Sequence, residues 1–172
     1  MYKTLLSSTL PLAAGALMAA SATLQAEPAV YRDGSMKVPQ AAVIGSNENS
    51  YYTDFTLGFG SDGTLQVTGA TLNHLVGVDT VEAQVTQTLA TQEVSLAVSG
   101  NLSVPCKQLL DPAMSFRDDT FTVVLAESNL GPAESCIQVL EPFDTSIELD
   151  VEDLDAGTYN VDVNGVMTQF TL

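Results

Sequence analysis

The side chains best suited to chemistry are few, and each group lacks a companion that its chemistry needs. The one histidine, His74, stands between Asn73 and Leu75. A serine or cysteine nucleophile needs a base within hydrogen-bond reach, and that base is usually oriented by a third group. No serine occupies a G-x-S-x-G turn. His74 therefore reads as a satisfied or solvent-facing side chain at a strand end, not as a catalytic base. Gly58-Phe59-Gly60-Ser61-Asp62-Gly63 matches the G-x-G-x-x-G spacing of dinucleotide sites. Those sites work because a helix N-terminus follows the glycines and receives the pyrophosphate. Here Thr64-Leu65-Gln66-Val67-Thr68 follows, which alternates like a strand. The glycines read as a hairpin turn, and no cofactor is expected.

Carboxylates are abundant, with 21 Asp and Glu in 172 residues. Asp150, Glu152, Asp153 and Asp155 form the densest group. Carboxylates around a turn can hold calcium, and extracellular modules do so weakly, with Kd of about 10⁻⁴–10⁻³ M. The D-x-D-x-D-G spacing of a recognised calcium loop is missing, and a turn separates Asp150 and Glu152 from Asp153 and Asp155. The group reads as an acidic edge between strands, so no metal site is assigned. Glycoside hydrolysis needs paired carboxylates in a cleft with sugar-binding aromatics; the chain has no Trp. The expectation is a protein that is not an enzyme. The alternative from a different class is a metal-assisted hydrolase using surface carboxylates.

Two cysteines, Cys106 and Cys136, are far apart in the sequence and do not form a CxxC pair. A metal-binding or reactive thiol pair is a poor reading of that spacing. In an exported chain the default is a disulfide. Closing a loop of this length stabilises by roughly 3.5–4 kcal/mol in the chain-entropy account. That is a large share of the roughly 5–15 kcal/mol of a small domain.

Export is expected from the first residues. Met1-Tyr2-Lys3 is a short positive start, Leu5 to Ala20 is apolar and small, and Leu24-Gln25-Ala26 precedes Glu27-Pro28. This is the pattern of a cleaved secretory signal, with cleavage after Ala26 and Ala22 as the alternative site. The apolar run is too short and too rich in Ala, Gly and Pro for a comfortable bilayer span. No membrane insertion of the mature form is expected, and the localisation is periplasmic or secreted. After cleavage, Arg32, Lys37, Lys107 and Arg117 face 21 acidic residues, a net charge of −17. Nucleic acid is excluded as a partner, because binding it needs a basic footprint. Such a charge favours solubility and opposes self-association.

The elements that would carry these residues are strands. Period-two alternation recurs, and sustained helical periodicity does not. Tyr51, Thr53, Phe55, Leu57 and Phe59 share one face of a strand, and a Gly-Ser-Asp-Gly turn leads to a second at 64–72. Before this hairpin, turn residues surround at most one short strand near Met36–Ile44. Further strands are expected at 79–89, 93–99 (Val94, Leu96, Val98 inward) and 120–126 (Phe121, Val123, Leu125 inward). A short piece at 136–140 follows, then 146–151 (Ile147, Leu149, Val151 inward), 158–163 and 166–172. The segment 105–119 reads as a long connection with one possible helical turn. Asn164-Gly165 is a strong type I′ hairpin signal, since both positions need φ > 0. It sets Val163 opposite Val166, Val161 opposite Thr168 and Tyr159 opposite Phe170.

Asp155-Ala156-Gly157-Thr158-Tyr159 resembles the tyrosine corner of immunoglobulin-like sandwiches, in which a Tyr opening a late strand bonds back to nearby backbone. The resemblance covers roughly residues 79–172 and extends to uncharacterised bacterial secreted or periplasmic proteins. It departs from antibody domains in having Val161 where they have a Cys, no Trp, and a clipped final turn. It implies an all-β fold: an immunoglobulin-like antiparallel β-sandwich with an N-terminal β-hairpin extension. Residues 1–26 would be the signal peptide, 27–76 the hairpin extension and 77–172 the sandwich, with Tyr159 as the structural corner. The function expected is an exported, acidic, non-catalytic binding or structural module of the cell envelope or medium, with an unknown protein or surface partner.

Overall fold

Among the described residues, five other than glycine have positive φ, and four of them build two-residue hairpin turns: Asp33, Asp118, Asp119 and Asn164. Asp33-Gly34, Asp118-Asp119 and Asn164-Gly165 each have φ > 0 at both positions, the geometry whose twist matches that of the flanking strands. The computed structural model describes residues 28–45, 48–87 and 91–172; the expected signal peptide, 1–26, lies outside them. Among the described residues there are eleven strands and no helix.

The N-terminal part is a four-stranded meander of β1 (Val30–Arg32), β2 (Ser35–Ile44), β3 (Asn49–Phe59) and β4 (Leu65–Asn73), paired in that order. The β3–β4 hairpin agrees with the alternation. The region before it was expected to hold at most one short strand, but it holds β1 and the ten-residue β2. Pro39 does not break β2: its missing N–H falls opposite Asp54, the fifth positive-φ residue, where β3 bulges against β4. Bulges absorb such local mismatch without losing the ladder.

Seven strands follow and form two sheets. β5 (Gly77–Gln87), β6 (Gln92–Leu102) and β9 (Glu141–Leu149) make one; β7 (Ala113–Arg117), β8 (Thr120–Val124), β10 (Thr158–Val163) and β11 (Val166–Thr171) make the other, in order β11-β10-β8-β7. Val94, Leu96, Val98, Ile147 and Leu149 from the first sheet pack on Phe121, Val123, Tyr159, Val161, Val163 and Phe170 from the second. This is a β-sandwich core, with inward residues alternating along β6, β9 and β10. All the inward residues named from the alternation are buried. The register of the last hairpin is Val163↔Val166, Val161↔Thr168 and Tyr159↔Phe170.

Three details differ from the sequence expectation. β7 lies inside the segment read as a connection, because Asp118-Asp119 makes a type I′ turn without the usual Gly. Residues 136–140 form no strand: Ile137, Val139 and Leu140 alternate only in part and are all exposed. The ladder with β6 begins instead at Glu141, and Pro142 is tolerated because β9 is an edge strand. Finally, β8 runs parallel to β10, the one parallel pair among the described strands. The chain returns from β8 through β9 in the opposite sheet, the kind of long crossover that a parallel pair requires.

Candidate functional site

The corner is assembled from residues close in sequence. Gly157 lies against the Tyr159 ring, and the Tyr159 hydroxyl donates to the Asp155 carbonyl at 2.7 Å. Tyr159 is buried and stacks on Phe170, with ring centroids 5.5 Å apart. Cys106 and Cys136 are joined in a disulfide, with 6.0 Å between their Cα atoms. It ties the loop after β6 to the segment leading into β9.

Beside this bridge lies a charged cluster that pattern reading missed. Glu127 is 1% exposed. Its Oε1 accepts from the Lys107 ammonium at 2.7 Å and from the Ser103 hydroxyl at 2.6 Å, and its Oε2 accepts from the Ser103 N–H at 2.7 Å. Burial alone pushes the Glu127 carboxyl up. The bonds from Lys107 and Ser103 outweigh it and hold the group below its ordinary value. The backbone of Glu127 is engaged as well: its N–H donates to the His74 carbonyl at 2.9 Å, and its carbonyl accepts from the Asn73 amide at 3.2 Å. No local motif marks Glu127. An acidic residue directly after the apolar run Phe121–Ala126 was the only available signal.

His74 is 3.8 Å from Glu127 through Nδ1, and its side chain is largely exposed. It lines an open cleft with Asn73, Asn129, Asp162 and Asn164. The side chains of Asn73, Asn129, Asp162 and Asn164 are each hydrogen-bonded. Asn164 accepts from the Leu125 N–H at 3.0 Å and donates to the carbonyls of Val76 and Leu125 at 3.0 and 2.8 Å. Asn129 donates to the Leu72 carbonyl at 3.0 Å. No buried side-chain nitrogen or oxygen among the described residues lacks a partner. The cleft is a polar seam that joins the N-terminal sheet to the sandwich.

The same seam has an apolar side. Tyr51 is fully buried against Val124, Ala126, Leu75 and Leu110, and donates its hydroxyl to the Asp111 carbonyl at 2.8 Å. Burial, reinforced by the Asp111 charge, pushes its pKa up to about 12. Ala42, Ile44 and Tyr51 thus seat one end of the sheet face on the sandwich.

The other end of that face is open. Phe59, Leu65 and Val67 are 55%, 56% and 58% exposed, and Tyr31 is 65% exposed. Strand pairing puts them together: Phe59 is opposite Leu65, Leu57 is opposite Val67 and Met36, and Met36 is opposite Tyr31. The Tyr31 and Phe59 rings meet edge to face, with centroids 6.5 Å apart. Alternation placed Leu57 and Phe59 on one face. At Asp54, where φ is positive and β3 bulges, Phe55 meets Tyr52, which alternation set on the opposite face, with ring centroids 6.3 Å apart. Nor could alternation show that the sandwich covers only part of the sheet. A contiguous exposed apolar patch of this kind is characteristic of interaction surfaces.

The remaining sequence candidates stay apart. Gly58–Gly63 is the β3–β4 turn: the Gly60 N–H donates to the Thr64 carbonyl, and Asp62 accepts from the Thr64 backbone and hydroxyl. The Thr64 hydroxyl and N–H hold the Asp62 carboxyl below its ordinary value. Asp150, Glu152, Asp153 and Asp155 surround the turn between β9 and β10, where Asp150 accepts from the Glu152 N–H at 3.4 Å. Among the described residues, no three His, Cys, Asp or Glu side chains are grouped to share a metal ion. No helix there is long and apolar enough to cross a membrane.

Residues 96–172 match the family model of the ORF11 beta-sandwich domain. The match begins inside β6 and runs through both sheets to the C-terminus. Comparison with the curated proteins found no match, and neither did comparison with the solved structures.

Proposed function

We propose that this chain is an exported, acidic, non-catalytic binding module of the cell envelope or medium, which holds a protein or surface partner through its N-terminal sheet. The observation that carries this reading is the open apolar end of the sheet, with Tyr31, Phe59, Leu65 and Val67 side by side. In a chain with a net charge of −16, such a patch costs solubility unless something covers it. Export rests on the signal-like first 26 residues, and the Cys106–Cys136 bridge suits an oxidising compartment. In this reading residues 77–172 are a rigid holder and residues 27–76 the presenting part.

The test is retention on immobilised chain. The wild type should retain a component of its own cell's envelope or medium, and a Phe59→Ser, Leu65→Ser double variant of unchanged melting temperature should not. Equal retention by both would contradict the role given to the sheet.

A further inference from the structure

We propose that the partner of the N-terminal sheet is a second copy of this chain, joined by antiparallel pairing of one β4 with the other. This inference rests on the binding-module reading and names the occupant of that same surface. β4 is an edge strand, with β3 on one side and, among the described residues, no strand on the other. From Leu65 to Leu72 its residues are exposed apart from Gly69. Natural edge strands are usually blunted by a Lys, a Pro, an inward charge, a bulge or a short length. Leu65-Gln-Val-Thr-Gly-Ala-Thr-Leu-Asn73 has nine residues, no charge and no proline. Its one such device is the irregularity at Thr68, where Val67 and Gly69 oppose the adjacent Leu57 and Thr56. Apart from the Leu72 carbonyl, which accepts from Asn129 at 3.0 Å, its outward N–H and C=O groups form a row that another strand can pair with.

Charge distribution fixes where a second copy would meet the first. Residues 28–73 carry two basic and four acidic side chains, whereas residues 74–172 carry two basic and sixteen acidic ones. Two copies repel over most of their surface, and the repulsion is least at the N-terminal sheet. Within that sheet β4 carries no charge at all. An antiparallel edge pair also has a two-fold axis, so each copy offers the other the same surface and the contact closes at a dimer.

The pairing accounts for the apolar patch too. A strand pair alone buries less than the roughly 1,200–2,000 Å² of a stable interface, so neighbouring apolar surface must be drawn in. The two-fold axis keeps the apolar faces of both sheets on one side. It sets the open end of each sheet, with Phe59, Leu65 and Val67, beside the sandwich-bearing end of its partner. That flank is where Tyr51, Asn73 and Leu75 meet the sandwich.

Sedimentation of the purified chain without residues 1–26 tests this directly. A monomer–dimer equilibrium is expected, shifting toward dimer as NaCl rises, because salt screens the acidic surfaces. Val67→Glu brings two like charges into the paired edges and should weaken the dimer by about tenfold. Met167→Glu, the same charge change on exposed β11, should leave it unchanged. Hydrogen exchange adds a readout that does not depend on any variant: amides of 65–71 should slow as protein concentration rises. A chain that stays monomeric at every concentration and salt level would overturn self-pairing, and so would a dimer that survives Val67→Glu. A monomer still retained with another envelope component through Phe59 and Leu65 would overturn self-pairing alone and leave the binding-module reading standing.

Discussion

The Lys107 ammonium sits 2.7 Å from Glu127 Oε1, next in sequence to the disulfide-bonded Cys106. The pair fastens the loop after β6 to the strand end that also carries the N-terminal sheet, since the Glu127 backbone bonds both His74 and Asn73. Removing one partner of a buried pair is costly because the other charge remains. Lys107→Met should destabilise the protein by about 3 kcal/mol in urea unfolding. A double Lys107→Met, Glu127→Leu variant should recover much of the loss.

The same pair sets an acid limb. The folded pKa of Glu127 is lowered, so its contribution is present above the unfolded carboxylate value of about 4.3 and is lost as pH falls through the folded value. Without Lys107 the hydrogen bond and charge that help hold the carboxyl down against burial are lost, so it titrates higher than in the wild type. Acid unfolding of Lys107→Met should therefore begin at higher pH than that of wild type, as followed by circular dichroism.

Tyr51 sets the alkaline limb. Its pKa rises from 10.0 to about 12 on folding, so its contribution is complete below pH 10.0 and is lost as pH climbs toward 12. Tyr51→Phe should cost about 1 kcal/mol near neutrality, through the lost bond to Asp111. It should also flatten the decline in stability between pH 10 and 12.

Tyr159→Phe removes the 2.7 Å bond to the Asp155 carbonyl and should destabilise by about 1 kcal/mol. An unchanged unfolding midpoint would mean that the corner is ornamental.

For Asp150, Glu152, Asp153 and Asp155 the expected outcome is screening. Calcium should raise the melting temperature no more than other salts do at matched ionic strength. A calcium-specific rise abolished by Asp153→Asn would make the turn a metal site.

What was legible in the sequence was whatever is encoded locally. Asn164-Gly165 dictated a turn and a register, and period-two alternation named the buried faces of β6, β8 and β10. The corner was readable because Asp155 and Tyr159 are four residues apart. β7 was hidden because Asp118-Asp119 is a rarer pair for a type I′ turn. The parallel run of β8 beside β10, the burial of Glu127 and the half-covered face of β3 all depend on tertiary placement, for which no residue spacing is diagnostic. The open apolar end of the N-terminal sheet was thus visible as a hairpin but not as a surface.

Site-specific photo-crosslinking in the native envelope or medium tests the central claim, that the N-terminal sheet is where this chain meets its partner. A photoreactive residue at Phe59 or Val67 should give a discrete adduct, and the same residue at Met167 should give none. Adducts absent from the sheet positions, or equally frequent at Met167, would contradict the account.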